Sequence, residues 1–283
     1  MNNNENWDLI IKSKKHWLDL NIKEIFQYID LIFLFVKRDF VTFYKQTILG
    51  PLWYIIQPLA NTLVFTVIFG KVAKIPTDGI SPFLFYLSGT VVWSYFSSSV
   101  ALTADTFTKN ADIFGKVYFP RIVIPISNVI VTLIQFGIQL SIFLFFLIYY
   151  NFQHDLTDLN FTRMLFLPLV LLQLIILSLG VGILLSALTS KYRDLTFALS
   201  FGLQLWMFAT PIVYPLSIVP EKYKIISALN PATSIVELFR GAFLGVSSIE
   251  TTHILISISV TVIIFVSGVL LFNKIEQNFM DTV

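Results

Sequence analysis

Asn128, Thr132, Gln135 and Gln139 follow one another at steps of four, three and four residues, so on a helix they share one face. In a hydrocarbon layer such a face must turn toward protein or water. It can line a polar conduit, or it can hydrogen-bond one helix to another. Glu237 and Arg240 stand three apart and can pair on a helix. Group-transfer catalysis needs clustered ionisable side chains. The polar sets available are His154, Asp155 and Asp158, or Glu221, Lys222 and Lys224, and both read more simply as solvated loop charges. With three histidines and no cysteine, the chain has no thiolate metal site, no thiol nucleophile and little for a histidine-rich centre. A phosphate-cradling loop needs Gly-x-x-x-x-Gly-Lys-Ser/Thr. No such string occurs, so any active transport draws its energy from another polypeptide.

The elements that must position these residues are set by composition. The chain has 283 residues, of which 56% are hydrophobic and only 13% charged. A soluble domain carries about 25% charged residues, so this surface is not one that water covers. Mean hydropathy is +0.78 and net charge +2, which excludes a nucleic-acid binder. Six stretches lack Asp, Glu, Lys and Arg: 46–70, 79–104, 122–153, 164–190, 195–220 and 251–273. Each reaches the roughly 20 residues a helix needs to cross the bilayer core. The expected fold is therefore all-α: a single polytopic membrane domain over 1–283 with spans at 46–72, 80–104, 121–150, 164–190, 195–214 and 251–273. No ionisable residue lies inside a span, so a proton or sodium relay has no obvious chemistry. His253 sits near one end of the last span and reads as interfacial.

Six spans put both termini on one side. With both termini cytoplasmic, 13 Lys and Arg fall inside and 6 outside, as the positive-inside rule prefers. Residues 1–20 are polar and do not read as a cleaved signal. Between 21 and 45, Ile25, Phe26, Ile29, Ile32, Phe33, Val36 and Phe40 recur at helical spacing, interrupted by charges. This predicts an amphipathic helix lying in the cytoplasmic interface.

Residues 105–120 are too polar to insert and exceed an ordinary connection. One short helix across 110–118 would make a lever between two spans, with Pro120 starting or kinking the next. Ser178, Gly182 and Ser186, at four-residue steps, read as close helix contact. The segment 209–248 holds Pro211, Pro215, Pro220 and Pro231. Asn230-Pro231 is an N-cap followed by proline at the first helical position, and the helix can run to about Leu244. Two short re-entrant helices within 215–248 would form an outer gate. Trp53, Tyr54, Trp93, Tyr95, Phe96 and Trp206, with Gln135 and Gln139, could line a channel suited to sugars. Trp53 and Tyr54 equally fit the aromatic belt at an interface.

These strings resemble the permeases of type-2 ABC exporters for cell-surface polysaccharides such as O-antigen, capsule and teichoic acid. The matching pieces run in the family's order: Tyr44-Lys45-Gln46-Thr47-Ile48-Leu49-Gly50-Pro51-Leu52-Trp53 with Pro58; Asn110, Lys116, Phe119-Pro120-Arg121 and Pro125; Tyr192-Arg193-Asp194-Leu195; then Thr210-Pro211-Ile212-Val213-Tyr214-Pro215, Asn230-Pro231 and Arg240. The resemblance implies a non-catalytic homodimeric permease in the cytoplasmic (inner) membrane, bound to two ATPase subunits that carry ATP and Mg. The substrate implied is a polysaccharide on a lipid carrier, with membrane lipids as the other partners and no cofactor on this chain. Asn110, Asp112, Lys116, Phe119, Pro120, Arg121, Arg193 and Asp194 would couple to the ATPase. Pro211, Tyr214, Pro215, Asn230, Pro231 and Arg240 would form the gate. A permease for a drug or simple lipid, and a membrane glycosyltransferase or polymerase, are the alternatives.

Overall fold

Charge-free runs with no water to satisfy their backbone fold as helices, and the computed structural model bears this out. It describes residues 22–45, 47–154, 164–192 and 194–279. Among them the elements are α1 (Ile22–Gln27), α2 (Ile29–Lys45), α3 (Trp53–Phe65), α4 (Pro82–Ala104), α5 (Thr106–Phe114), α6 (Val123–His154), α7 (Leu167–Lys191), α8 (Leu195–Ala209), α9 (Glu221–Leu229), α10 (Pro231–Leu244) and α11 (Thr251–Phe279). No strand occurs among the described residues. A 3-10 turn at Gly50–Leu52 leads into α3, and a π-helical stretch, Thr66–Val72, continues it.

Four stretches are long and apolar enough to cross a membrane: Gly50–Val72, Val123–Gln153, Leu167–Lys191 and Thr251–Glu276. The other two charge-free runs behave differently. Helix α4 has 23 residues, but seven of them are Ser or Thr, which lowers its hydropathy. Sixteen of the 23 are buried, so this helix is solvated by protein rather than by lipid. It is the axle of the fold, packed by α3, α6, α7, α8 and α10. Helix α8 stops at Ala209 after 15 residues, short of the expected 214. Thr210 is already extended and Pro211 has no N–H to continue the ladder.

Lipid tails are as apolar as leucine, so close packing must hold the bundle together. Small residues on α7 allow it. A Cβ on Gly182 would stand 2.6 Å from Thr103 on α4. One on Gly180 would stand 2.7 Å from the Phe265 backbone on α11. Ser178 and Ser186 are fully buried on the same helix. Gly182 of the expected stripe thus seats α7 against α4, and Gly180, outside that stripe, seats it against α11.

A second apolar cluster closes the other end of the bundle. Ile32, Phe35 and Val36 of α2 meet Phe114, Phe119 and Val123, with the Phe35 and Phe119 rings 5.7 Å apart. The N-terminal helix breaks at Tyr28 and carries two apolar faces. One docks on the chain; Phe26, Ile29 and Phe33 point away from it.

Candidate functional site

The lever loop begins without a gap. Asp105 alone separates α4 from α5, and its carboxylate pairs with Lys109 at 2.8 Å. The expected helix at 110–118 lies instead at 106–114. Phe107, Asn110 and Phe114 share its buried face, and the helix ends at Gly115. Asn110 bends the helix (φ −115°, ψ 15°) and donates from Nδ2 to the Thr106 carbonyl at 3.0 Å. Phe107 stacks near Phe272 of α11, with centroids 4.9 Å apart. Residues 115–122 then turn into α6.

Arg121 anchors that turn. Its Nη1 donates to the Glu276 carbonyl at 2.8 Å, and its backbone N–H to the Glu276 carboxylate at 3.3 Å. The guanidinium also covers the Phe114 ring at 5.3 Å. Burial lowers the Arg121 pKa, and Glu276 opposes the shift. Phe119 is buried as well. Asp112, Lys116, Val117 and Tyr118 are exposed. The residues expected to couple thus divide into an internal brace (Asn110, Phe119, Arg121) and a free face (Asp112, Lys116), with Pro120 half-buried between. Thr189 on α7 donates to the Ala104 carbonyl at 2.7 Å, which brings the loop after α7, with exposed Asp194, beside the same corner. Arg193 lies outside the described residues, as do Asp155 and Asp158.

The aromatic candidates sit mostly inside the chain. Trp93, Phe96 and Trp206 form one cluster, with Phe96–Trp206 at 5.0 Å and Trp93–Phe96 at 5.2 Å. Tyr95 packs on Phe136 at 5.5 Å. Tyr54 is buried and accepts a hydrogen bond from Gln135 Nε2 at 3.0 Å. Asn128 donates to the Leu102 carbonyl at 3.1 Å. The polar stripe of α6 therefore ties α6 to α3 and α4. Gln139 departs from this, since its buried Oε1 meets no partner. Trp53 is exposed, and so is a stripe on α8 that sequence reasoning passed over: Phe197, Phe201, Leu205 and Phe208. Its four-four-three spacing was the available signal.

The gate candidates converge on two side chains. Asn230 caps α10 by accepting from the Ala232 N–H at 3.1 Å. The same Oδ1 accepts from Trp206 Nε1 at 2.9 Å, and Nδ2 donates to Thr210 Oγ1 at 3.0 Å. Arg240, 1% exposed, is more heavily engaged. Its Nη1 donates to the Pro211 carbonyl at 2.5 Å and to Glu237 Oε1 at 3.3 Å. Its Nη2 donates to the Ile212 carbonyl at 2.8 Å and the Phe85 carbonyl at 3.4 Å, and Nε to Ser88 Oγ at 3.2 Å. The guanidinium carbon lies 3.7 Å from the Phe85 ring centroid. A Cβ on Gly89 would stand 2.9 Å from Nη2, so any larger residue there would push on the guanidinium. This arginine clasps α4, α10 and the 211–212 turn. Phe85, Ser88, Gly89 and Glu237 belong to the site with it, although sequence spacing marked only Glu237.

Pro215 is buried and Tyr214 half-buried behind the turn, and Pro231 is buried at the first position of α10. Ser217 donates to Asp78 Oδ1 at 2.7 Å, tying the gate segment to the α3–α4 loop. Glu221 and Lys224 pair at 2.7 Å on exposed α9. Lys224 holds the Glu221 carboxyl below its ordinary range. Among the described residues, no three His, Asp or Glu side chains gather as metal ligands.

Residues 30–244 match the ABC-2 type transporter family. The chain is 30% identical over 252 residues to the O-antigen export system permease protein RfbA of Klebsiella pneumoniae, covering 89% of this chain and 94% of that one. It is 26% identical over 264 residues to a protein of the same name from Myxococcus xanthus, covering 93% and 98%. The polysialic acid transport protein KpsM of Escherichia coli is 27% identical over 206 residues, covering 72% and 78%. With four helices long and apolar enough to cross a membrane and this match over most of its length, the chain belongs to the ABC-2 type transporter family.

Proposed function

We propose that the chain is the transmembrane subunit of an ATP-driven exporter that moves a lipid-linked polysaccharide across the inner membrane. The observation that carries this reading is similarity over nearly the whole chain to permeases named for O-antigen export. The chain is the non-catalytic permease part, and ATP and Mg belong to the partner ATPase.

In this reading the whole chain forms one permease domain. Six spans are formed by Gly50–Val72, α4, α6, α7, α8 and α11. The short α8 and the buried α4 complete the four apolar crossings. Both termini lie in the cytoplasm, supported by the excess of Lys and Arg on that side. The exposed face of α5 and the 115–118 turn, with Asp194 nearby, receive the ATPase. Helix α2 lies at the cytoplasmic interface, where Phe26, Ile29 and Phe33 meet lipid.

Two copies assemble around the substrate path. The barely packed α8 supports this, with its exposed Phe197, Phe201 and Phe208, as does the thinly covered α3. Trp53 and Trp206 line the path, while Trp93, Tyr95 and Phe96 back its wall. Gln139 offers it an unpaired oxygen. Helices α9 and α10 form the outer gate, which Arg240 fastens to α4. Deleting the gene should abolish surface polysaccharide, and the protein should co-purify with the ATPase encoded beside it. Intact polysaccharide in the deletion strain would sink the substrate assignment. Failure to form the complex would sink the transporter assignment.

A further inference from the structure

A cleft of about 580 Å³ opens between α7, α10 and α11, at the end of the bundle that carries the 245–250 loop. One wall runs from Phe166, just before α7, to Ile176 on it. At 1.5 Å per residue that is about 15 Å, half of a roughly 30 Å hydrocarbon core. The opposite wall, Ile254 to Val262 on α11, begins at the same end. Phe166, Leu169, Ile258 and Val262 are exposed, so the cleft opens where two membrane-crossing helices face hydrocarbon.

The floor is polar in sequence but closed in structure. Gln173 Nε2 donates to Ser257 Oγ at 2.7 Å, and Ser257 Oγ donates to the Pro231 carbonyl at 3.1 Å. Thr261 turns back to the Ser257 carbonyl at 2.8 Å. The chain thus satisfies these groups and presents an apolar surface to an occupant. At the loop end, Ser247 Oγ is buried and has no partner. The cleft therefore presents hydrocarbon walls to whatever enters it.

We propose that this cleft binds one acyl chain of a glycerophospholipid. Its length matches the tail in a single leaflet, and its apolar walls match methylenes. The medium supplies the occupant, because lipid tails bathe the mouth. Leu238 and Ala242 form the third wall. They stand two residues either side of Arg240, about 200° around α10 from it. A bound tail thus presses the back of the helix whose front Arg240 fastens. The inference rests on the membrane placement of α7 and α11 and not on what is transported.

The test uses the full chain in nanodiscs containing a phosphatidylethanolamine with a diazirine in one acyl chain. After irradiation, peptides covering 166–176 and 254–262 should carry at least about five times the label found around Phe145 and Ile148, an ordinary lipid-facing surface of α6. Ala242→Phe should remove the excess at the cleft and leave the α6 label unchanged. Where that variant loses its monodisperse elution, Ile258→Trp, which fills the cleft from its rim, serves instead. Equal labelling of both surfaces, or an excess that survives filling, overturns the proposal.

Discussion

Arg240 on α10 holds the carbonyl of Pro211, 29 residues earlier in the chain, at 2.5 Å. Proline at 211 ends the α8 ladder and leaves backbone carbonyls facing inward with no helical partner. A planar guanidinium offers five N–H donors, and here all three nitrogens are engaged. The arginine thus completes a broken helix from outside it.

Removing that clasp should be costly. Arg240→Met leaves Glu237 as an unpaired buried charge, and breaking such a pair costs about 3–5 kcal/mol. Thermal unfolding in detergent should show a large drop. Adding Glu237→Gln to the same chain should recover part of it. A double variant no better than the single would refute the pair's role.

Asn230→Ala should cost about 0.5–2 kcal/mol through the lost cap alone. It also strips the partner from Trp206 Nε1. Asn230→Ser should restore the cap but not the Trp206 bond. Its stability should therefore fall between alanine and wild type in the same assay. Alanine and serine behaving alike would assign the whole effect to Trp206.

The brace and the free face of the lever should separate. Arg121→Ala should destabilise the protein, since Glu276 and the Phe114 ring lose their buried partner. Lys116→Ala with Tyr118→Ala should leave unfolding unchanged, because both side chains are exposed. In the reconstituted exporter the second variant should hydrolyse ATP with export reduced several-fold. Normal export there would refute the docking face.

Gly182→Ala should destabilise by about 1–3 kcal/mol, because its Cβ meets the Thr103 side chain at 2.6 Å. Gly137→Ala meets nothing within 4 Å and should be neutral or slightly stabilising. Unfolding midpoints of the two variants, measured side by side, check the α4–α7 contact.

Much of the fold was legible as absence of charge, since a lipid-bathed backbone has few options besides helix. The α10 boundaries were legible too, from Asn230-Pro231 at one end to Gly245, with φ +75°, at the other. Helix α5 was misplaced because its position depends on Phe107 meeting Phe272, 165 residues away, and no local pattern encodes that. Arg240 announced its neighbour Glu237 by spacing. Its other partners, Phe85, Ser88, Pro211 and Ile212, come together only through topology. The aromatics expected to line a channel were chosen by residue type, but which side they face depends on the packing around α4. Apolar content says little about that packing in a chain where most residues are apolar.

The burial of α4 also bears on how the protein is made. An insertion machinery sorts segments by their partition into lipid. With seven Ser and Thr, α4 is the weakest such segment among the longer helices, yet it must occupy the centre. Most of its surface finds cover only when α6 and α7, synthesised later, close around it. Membrane integration should therefore be least efficient for nascent chains truncated after α4. It should rise once α7 has emerged, as glycosylation mapping of staged truncations would record. The order of synthesis then acts as an assembly sequence, with the core element waiting for its own walls.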